Sequence, residues 1–143
     1  RQQLPINKLC NLLFARNTMR ISIYYTARQS TPINEAERNQ IAAIEQQHAV
    51  ERLIEEYDQT GRGHNWESFC IYDPNDPTEP GVVFEGATKL PDNSEDAVWE
   101  GLQHWCAALT EIRKVIPDAD WHVHVDDHEI QWDDSVSAYD PSQ

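Results

Sequence analysis

The sequence predicts a single α+β domain, and three observations support this fold class. Several short segments alternate apolar and polar residues, which is the pattern of strands that bury one face. One longer segment instead carries apolar residues at spacings of three and four, which is typical of an amphipathic helix. At 143 residues the chain has the usual size of one domain and can bury a hydrophobic core without disulfide or metal cross-links.

The first half of the chain predicts a strand followed by a long helical region. β-branched and aromatic residues alternate over residues 21–26, which indicates a half-buried strand. Thr31-Pro32 favours a helix start because proline suits the first helical position. The helical pattern continues to about Tyr57, but its apolar stripe slips at residues 46–48, which predicts a bend or a break into two helices. Gly61 ends the region.

The middle of the chain predicts a hairpin and then a second helix. Residues 66–72 alternate again, and the prolines of the acidic loop over residues 73–80 cannot lie inside a sheet. The strand pattern resumes at residues 81–85, so we expect these two strands to pair. Asp92, followed three residues later by Glu95, has the spacing of a capping box that begins a helix.

The second helix and the strand after it have the clearest patterns. Pro117 ends a helix whose apolar stripe consists of Val98, Leu102, Trp105, Leu109, Ile112 and Ile116. Residues 121–125 form the last strand, and a turn at residues 126–128 leads to a short returning segment. The order β-α-β-β-α-β predicts a ferredoxin-like sandwich, with one mainly antiparallel sheet and two helices on one face. An extra C-terminal hairpin strand is compatible with it.

We predict that the domain covers residues 19–133 and is flanked by two further segments. Met19, the only methionine, immediately precedes the first strand. Residues 1–18 are therefore interpreted as a leader, a segment added for expression, or a short N-terminal helix. Residues 134–143 lack periodicity and are predicted to form a flexible acidic tail.

Charge predicts the class of partner. The chain has 25 acidic and 11 basic residues, and residues 115–143 contain no Lys or Arg. Such a surface repels nucleic acid and anionic membranes, so we expect no direct binding to either. It attracts basic proteins, and we expect a basic protein partner such as a toxin. A role of the acidity in solubility alone is the alternative.

Composition also bears on location and cofactors. No apolar run approaches the roughly 18 residues of a membrane-spanning helix, which predicts a soluble protein. The three cysteines are far apart and form no C-x-x-C pair, which argues against a disulfide framework and against a thiolate zinc site. We therefore expect a cytoplasmic protein without a cofactor.

The sheet face opposite the helices is the candidate partner-binding surface. Alternation predicts that Tyr24 and Tyr72 are exposed there, and tyrosine is a residue type enriched at binding hot spots. We interpret both as anchors. The carboxylates expected to frame them or to attract the partner are Asp126, Asp127, Glu129, Asp133 and Asp134.

A histidine cluster gives an alternative interpretation as a metal site. His122, His124, Asp126 and His128 lie close in sequence, and imidazole is a common ligand for transition metals. The spacing has one residue more than the H-x-H-x-D-H motif of metallo-β-lactamase-type hydrolases, so no membership of that family is inferred. The simpler interpretation is that His122 and His124 are outward-facing polar positions of a strand. Cys70 is interpreted as structural instead of nucleophilic.

The leading functional hypothesis is a small acidic protein-binding domain, of the kind found in immunity proteins and antitoxins. It would block a basic toxin, for example a nuclease, by occupying its cleft. One alternative is a DNA-mimic anti-defence protein, and another is a metal-dependent hydrolase that uses the histidine cluster. A homodimer formed through the open sheet face is also compatible with the pattern. No catalytic residue is predicted under the leading hypothesis.

Overall fold

The computed structural model describes residues 21–143 and confirms an α+β fold. Its elements are β1 (Ser22–Arg28), α1 (Glu35–Gln47), α2 (Glu51–Thr60), β2 (Val82–Lys89), α3 (Glu95–Val115), β3 (Asp120–Val125), β4 (His128–Glu129), β5 (Gln131–Asp133) and β6 (Ala138–Asp140). No helix within this part of the chain is long and apolar enough to cross a membrane. The expectations for residues 1–18 lie outside the described residues.

The main sheet has four antiparallel strands in the order β2-β1-β3-β4. Strand β1 is central, and its Tyr25 lies opposite Gly86 of β2 and Val123 of β3. The alternation predicted for β1 is observed from Ile23 onward, since Ile23 and Tyr25 are buried while Tyr24 is partly exposed, but Ser22 at the start of the strand is buried as well. The first strand therefore lies between the two later long strands, as in a ferredoxin-like sandwich.

The predicted strand over residues 66–72 is not regular. It is reduced to a single bridge between Ile71 and Gly86. The backbone N–H of Cys70 donates to the Thr88 hydroxyl at 3.1 Å, and the Tyr25 hydroxyl donates to the Cys70 carbonyl at 2.6 Å. The Cys70 carbonyl also accepts from the Ala87 N–H of β2 at 3.2 Å, but the Cys70 N–H is bonded to a side chain, so the ladder does not continue beyond Cys70.

The first helical region begins later than predicted and breaks where predicted. Asn34 caps α1, because its side chain accepts from the backbone N–H of Glu37 while the Glu37 carboxylate accepts from the N–H of Asn34. The start expected at Thr31-Pro32 was therefore early. The helix ends at His48, α2 begins at Glu51, and Gly61 ends it with a φ of 72°.

Helix α3 is the longest element and packs its apolar stripe on the sheet. Its cap is Ser94 and not Asp92, because the Ser94 hydroxyl accepts from the N–H of Ala97 at 3.0 Å. The buried residues of the helix are Ala97, Gly101, Trp105, Cys106, Ala108, Leu109, Thr110 and Ile112. Leu102, which the sequence placed in the stripe, is only partly buried.

The C-terminal segment differs from the predicted flexible tail. Residues from 131 onward form a hairpin of β5 and β6, and Tyr139 is buried against α3. The Tyr139 N–H donates to the Thr110 hydroxyl at 3.1 Å, and Arg113 donates to the Tyr139 hydroxyl at 3.1 Å. The Arg113 guanidinium also lies over the Trp132 ring at 4.3 Å. These contacts hold the hairpin against α3. They join residues far apart in sequence and leave no periodic pattern in it.

Candidate functional site

The sheet face opposite the helices, called the outer face below, brings together residues of three strands. Tyr24 of β1 lies directly opposite His124 of β3, and His124 lies opposite Glu129 of β4. Residues paired in this way across antiparallel strands project from the same face. The register therefore places an aromatic ring, an imidazole and a carboxylate in one row.

Tyr24 and His124 form a stacked pair at the centre of this row. Their ring centroids are 5.0 Å apart and the two planes differ by 10°. The Nδ1 atom of His124 is 2.9 Å from the carbonyl oxygen of Asp126 in the β3–β4 turn. Because a carbonyl oxygen only accepts, Nδ1 donates this bond, and the imidazole is held in one orientation. The result is a partly exposed platform whose geometry is fixed by backbone.

Exposed carboxylates lie on the β3–β4 side of the platform, and we call them the carboxylate rim. The rim consists of Asp120, Asp126, Asp127 and Glu129, all of which are exposed. His122 lies between two of them, with its Nε2 atom 3.6 Å from Asp120 and its Nδ1 atom 3.7 Å from Glu129. Since residues 115–143 contain no Lys or Arg, the negative charge of the rim is not compensated by basic residues of this segment.

Tyr72 is not the exposed anchor that alternation predicted. Only 4% of its surface is exposed, and it lies near α1, where it lines a cavity together with Ile41 and Ala42. Alternation assigns a face only within a regular strand, and the segment that carries Tyr72 makes a single bridge to β2. Its contribution is therefore to packing and not to the outer face.

Asp133 and Asp134 lie in the second sheet and are engaged locally. The Asp133 carboxylate accepts from the Ser135 hydroxyl at 2.6 Å and from its N–H at 2.9 Å, and these bonds lower the pKa of Asp133. The Asp134 carboxylate accepts from the Trp132 indole at 3.0 Å. Both carboxylates stabilise the β5–β6 turn, so the structure does not place them in the rim.

The histidine cluster does not converge on one point. His128 directs Nε2 to the carbonyl oxygen of Gln143 at 2.7 Å, while His124 directs Nδ1 to the Asp126 carbonyl. Within residues 21–143, no group of three or more His, Cys, Asp or Glu side chains has a geometry that could hold a metal ion. The predicted alternative ligands, His122, His124, Asp126 and His128, therefore share a strand and its turn without forming a coordination shell.

The described cysteines do not have the properties of a catalytic nucleophile. Cys70 is disulfide-bonded, although the spacing of the cysteines had argued against a disulfide framework. Spacing along the chain does not show which residues meet in space. Cys106 is a buried free thiol, and burial raises its pKa to about 12, so the reactive thiolate is scarce at neutral pH.

Sequence reasoning missed one member of the rim. Asp120 was not among the carboxylates predicted to frame the anchors, but it begins β3 and shares a face with His122. The spacing of two residues between them was the available signal, since residues i and i+2 of a strand share a face.

Comparison with known proteins identifies no relative. The chain matches no protein-family model, and no curated protein and no solved structure is detectably similar to it. The function of the outer face is accordingly inferred from the chemistry of its own residues.

Proposed function

We propose that the protein is an acidic protein-binding domain whose outer face binds a basic protein. The binding mode is that of an immunity protein or antitoxin, in which an acidic surface occupies the basic cleft of a toxin such as a nuclease. One observation carries the proposal: the Tyr24–His124 stack lies beside a rim of exposed carboxylates. Aromatic residues supply contact area in an interface, and the carboxylates complement a basic surface.

The charge of the described residues supports the same partner class. All 25 carboxylate side chains of the chain lie within residues 21–143, together with only seven Lys and Arg residues. An excess of this size produces a long-range field that steers a basic protein toward the surface. Such steering raises association rates by roughly ten- to thousand-fold at low salt.

A DNA-mimic inhibitor is the second candidate, because the same charge favours it. In that case the partner is a nucleic-acid-binding defence enzyme, and the carboxylates occupy the positions of phosphates. The two candidates share an interface and differ in the activity of the partner. Identification of the bound enzyme therefore separates them.

The test is affinity capture with a matched pair of variants. The Asp126→Asn/Asp127→Asn double variant removes two rim charges, and the Glu55→Gln/Glu56→Gln double variant removes two exposed charges from α2. We expect a basic protein to be captured by the parent and by the α2 variant, and less by the rim variant, with capture weakening as salt rises. The captured protein should lose its activity when this domain is added in equimolar amount. Equal capture by both variants contradicts the proposal.

A further inference from the structure

A cavity opens at the β2 edge of the sheet, whereas the carboxylate rim lies toward the β3–β4 edge. Its volume is about 700 Å³, within the roughly 300–1,000 Å³ of small-molecule sites. The apolar walls include Ile33, Ile41, Val82 and Phe84, all buried residues of the core. The cavity exists because two neighbouring elements pack loosely. The segment before β2 makes only one bridge to the sheet, and Ile41 is the only buried residue of α1.

Glu45 lines this cavity from the last turn of α1. Its side chain is half-buried and makes no hydrogen bond or ion pair within residues 21–143. Burial raises the pKa of Glu45, and the nearby carboxylate of Glu51 raises it further. A carboxylate that is partly removed from water without a partner is costly, and a bound cation relieves this cost.

Arg38 also lines the cavity but does not neutralise Glu45. Its guanidinium donates from Nη1 to the Ile33 carbonyl at 2.9 Å, which holds it near the start of α1. Glu45 is seven residues further along the helix, about 10 Å away along the axis at the usual helical rise. The part of the cavity near Glu45 therefore keeps its negative charge.

We propose that this cavity binds a small organic ammonium ion. The charged nitrogen pairs with the Glu45 carboxylate, and an apolar body packs against the core residues of the wall. The volume favours a free small molecule over the lysine side chain of a protein partner, because one side chain leaves most of 700 Å³ empty. This site is separate from the outer face and does not depend on the function proposed above.

The first test compares 2-phenylethylammonium with 2-phenylethanol, a neutral probe of similar shape, by NMR titration at pH 7. We expect saturable shifts and about tenfold or tighter binding of the ammonium ion, the range for a hydrogen bond to a charged group. Glu45→Gln should abolish this preference. Glu56→Gln, which removes an exposed carboxylate of α2, should keep it. Equal affinities for the two probes, no saturable shift, or a preference that survives Glu45→Gln overturns the proposal.

A second pair of variants locates the probe, because Glu45 also lines a neighbouring cavity of about 1,140 Å³. Ala42 lines only the first cavity and Ser68 only the second, and both residues are exposed. Ala42→Trp should block binding, whereas Ser68→Trp should leave it. The reverse result overturns the assignment to the first cavity.

A melting curve separates a ligand-binding role of Glu45 from a structural one. Because its pKa is raised in the folded state, ionised Glu45 opposes folding at neutral pH. Glu45→Gln should therefore melt at or above the temperature of the parent while losing the preference for the ammonium ion. A clear drop in melting temperature assigns Glu45 to the fold and overturns the proposal.

Discussion

Helix α3 and the broken pair α1–α2 cover the same face of the sheet but contribute to the core very differently. Helix α3 has 21 residues, of which eight are buried. Helix α1 buries only Ile41, and α2 buries no residue. The two helical units therefore bury very different numbers of residues although both were predicted as helices of the fold. The cavity of about 700 Å³ lies beside α1, one of the less buried helices.

Local sequence explains much of the difference. Helix α3 has acidic residues in its first turn and Arg113 and Lys114 in its last turn, so both ends complement the helix dipole. Neither α1 nor α2 has a basic residue in its last turn. The apolar stripe of α3 is also continuous, whereas the stripe of α1 and α2 is interrupted between the two helices, at residues 48–50. We therefore expect truncation of buried side chains in α3 to lower the free energy of unfolding more than truncation of side chains in α1 or α2.

The largest expected effect is a loss of stability on truncation of Leu109. This residue is fully buried in α3, and Leu109→Ala should cost about 2–5 kcal/mol by creating a cavity. Ile54→Ala in α2 should cost less, since Ile54 is only partly buried. Leu102→Ala should also cost less than Leu109→Ala, for the same reason. Urea denaturation measures all three, and equal costs for Leu109 and Ile54 contradict the comparison.

The next effect tests the docking of the C-terminal hairpin on α3. Thr110 accepts a hydrogen bond from the Tyr139 N–H, and Thr110→Val removes the acceptor at nearly constant volume. A buried N–H without a partner costs about 1–3 kcal/mol, which sets the expected loss. Thr60→Val is the control, because the Thr60 hydroxyl is exposed and lies at the end of α2. A cost no greater than that of the control shows that the hairpin does not stabilise the domain.

The sequence predicted elements whose pattern reflects burial of one regular face. This holds for β1, β3 and α3, where apolar spacing alone gives the face, and so Tyr24, His122 and His124 were assigned correctly to one surface. The broken helix at residues 46–48 was predicted for the same reason. Regular helices and strands can be predicted from sequence because the apolar residues of each type recur with a characteristic period.

The sequence failed where distant side chains decide the backbone conformation. The Thr88 hydroxyl accepts from the backbone N–H of Cys70, and the Thr110 hydroxyl accepts from that of Tyr139, so the first hairpin strand is reduced and the tail becomes ordered. Neither contact has a periodic signature. Among the site residues, Tyr72 was misplaced for this reason, and Glu45 was missed because its significance depends on a cavity.

A smaller expected effect is a pH dependence of stability at the contact between α3 and the end of α1, which we call the joint. The Nε2 atom of His104 on α3 is 2.8 Å from the His48 carbonyl at the end of α1, and its ring lies edge-on to Trp66. Burial lowers the pKa of His104, while the bond to His48 opposes this shift and the His48 imidazole adds to it. The unfolded chain therefore takes up the proton first, and stability should fall as pH drops through about 6.5, the ordinary histidine pKa.

His104→Gln should reduce this pH dependence without abolishing folding. Urea midpoints measured from pH 7.5 to pH 5 give the slope for the parent and the variant. His128→Gln, at an exposed position remote from the joint, should keep the parental slope. An unchanged slope in His104→Gln shows that proton uptake elsewhere controls acid destabilisation.

The smallest expected effect on stability is at the carboxylate rim, which lies on the opposite sheet face from both helical units. Asp126→Asn/Asp127→Asn should change the free energy of unfolding by no more than about 0.5 kcal/mol, because both residues are exposed. The same variant should slow association with the basic partner and flatten its salt dependence, since rim charges act before contact. Tyr24→Ala should instead speed dissociation, because the Tyr24–His124 stack acts after contact. Binding kinetics across a salt series distinguish the two effects, and parental kinetics in both variants show that the partner binds elsewhere.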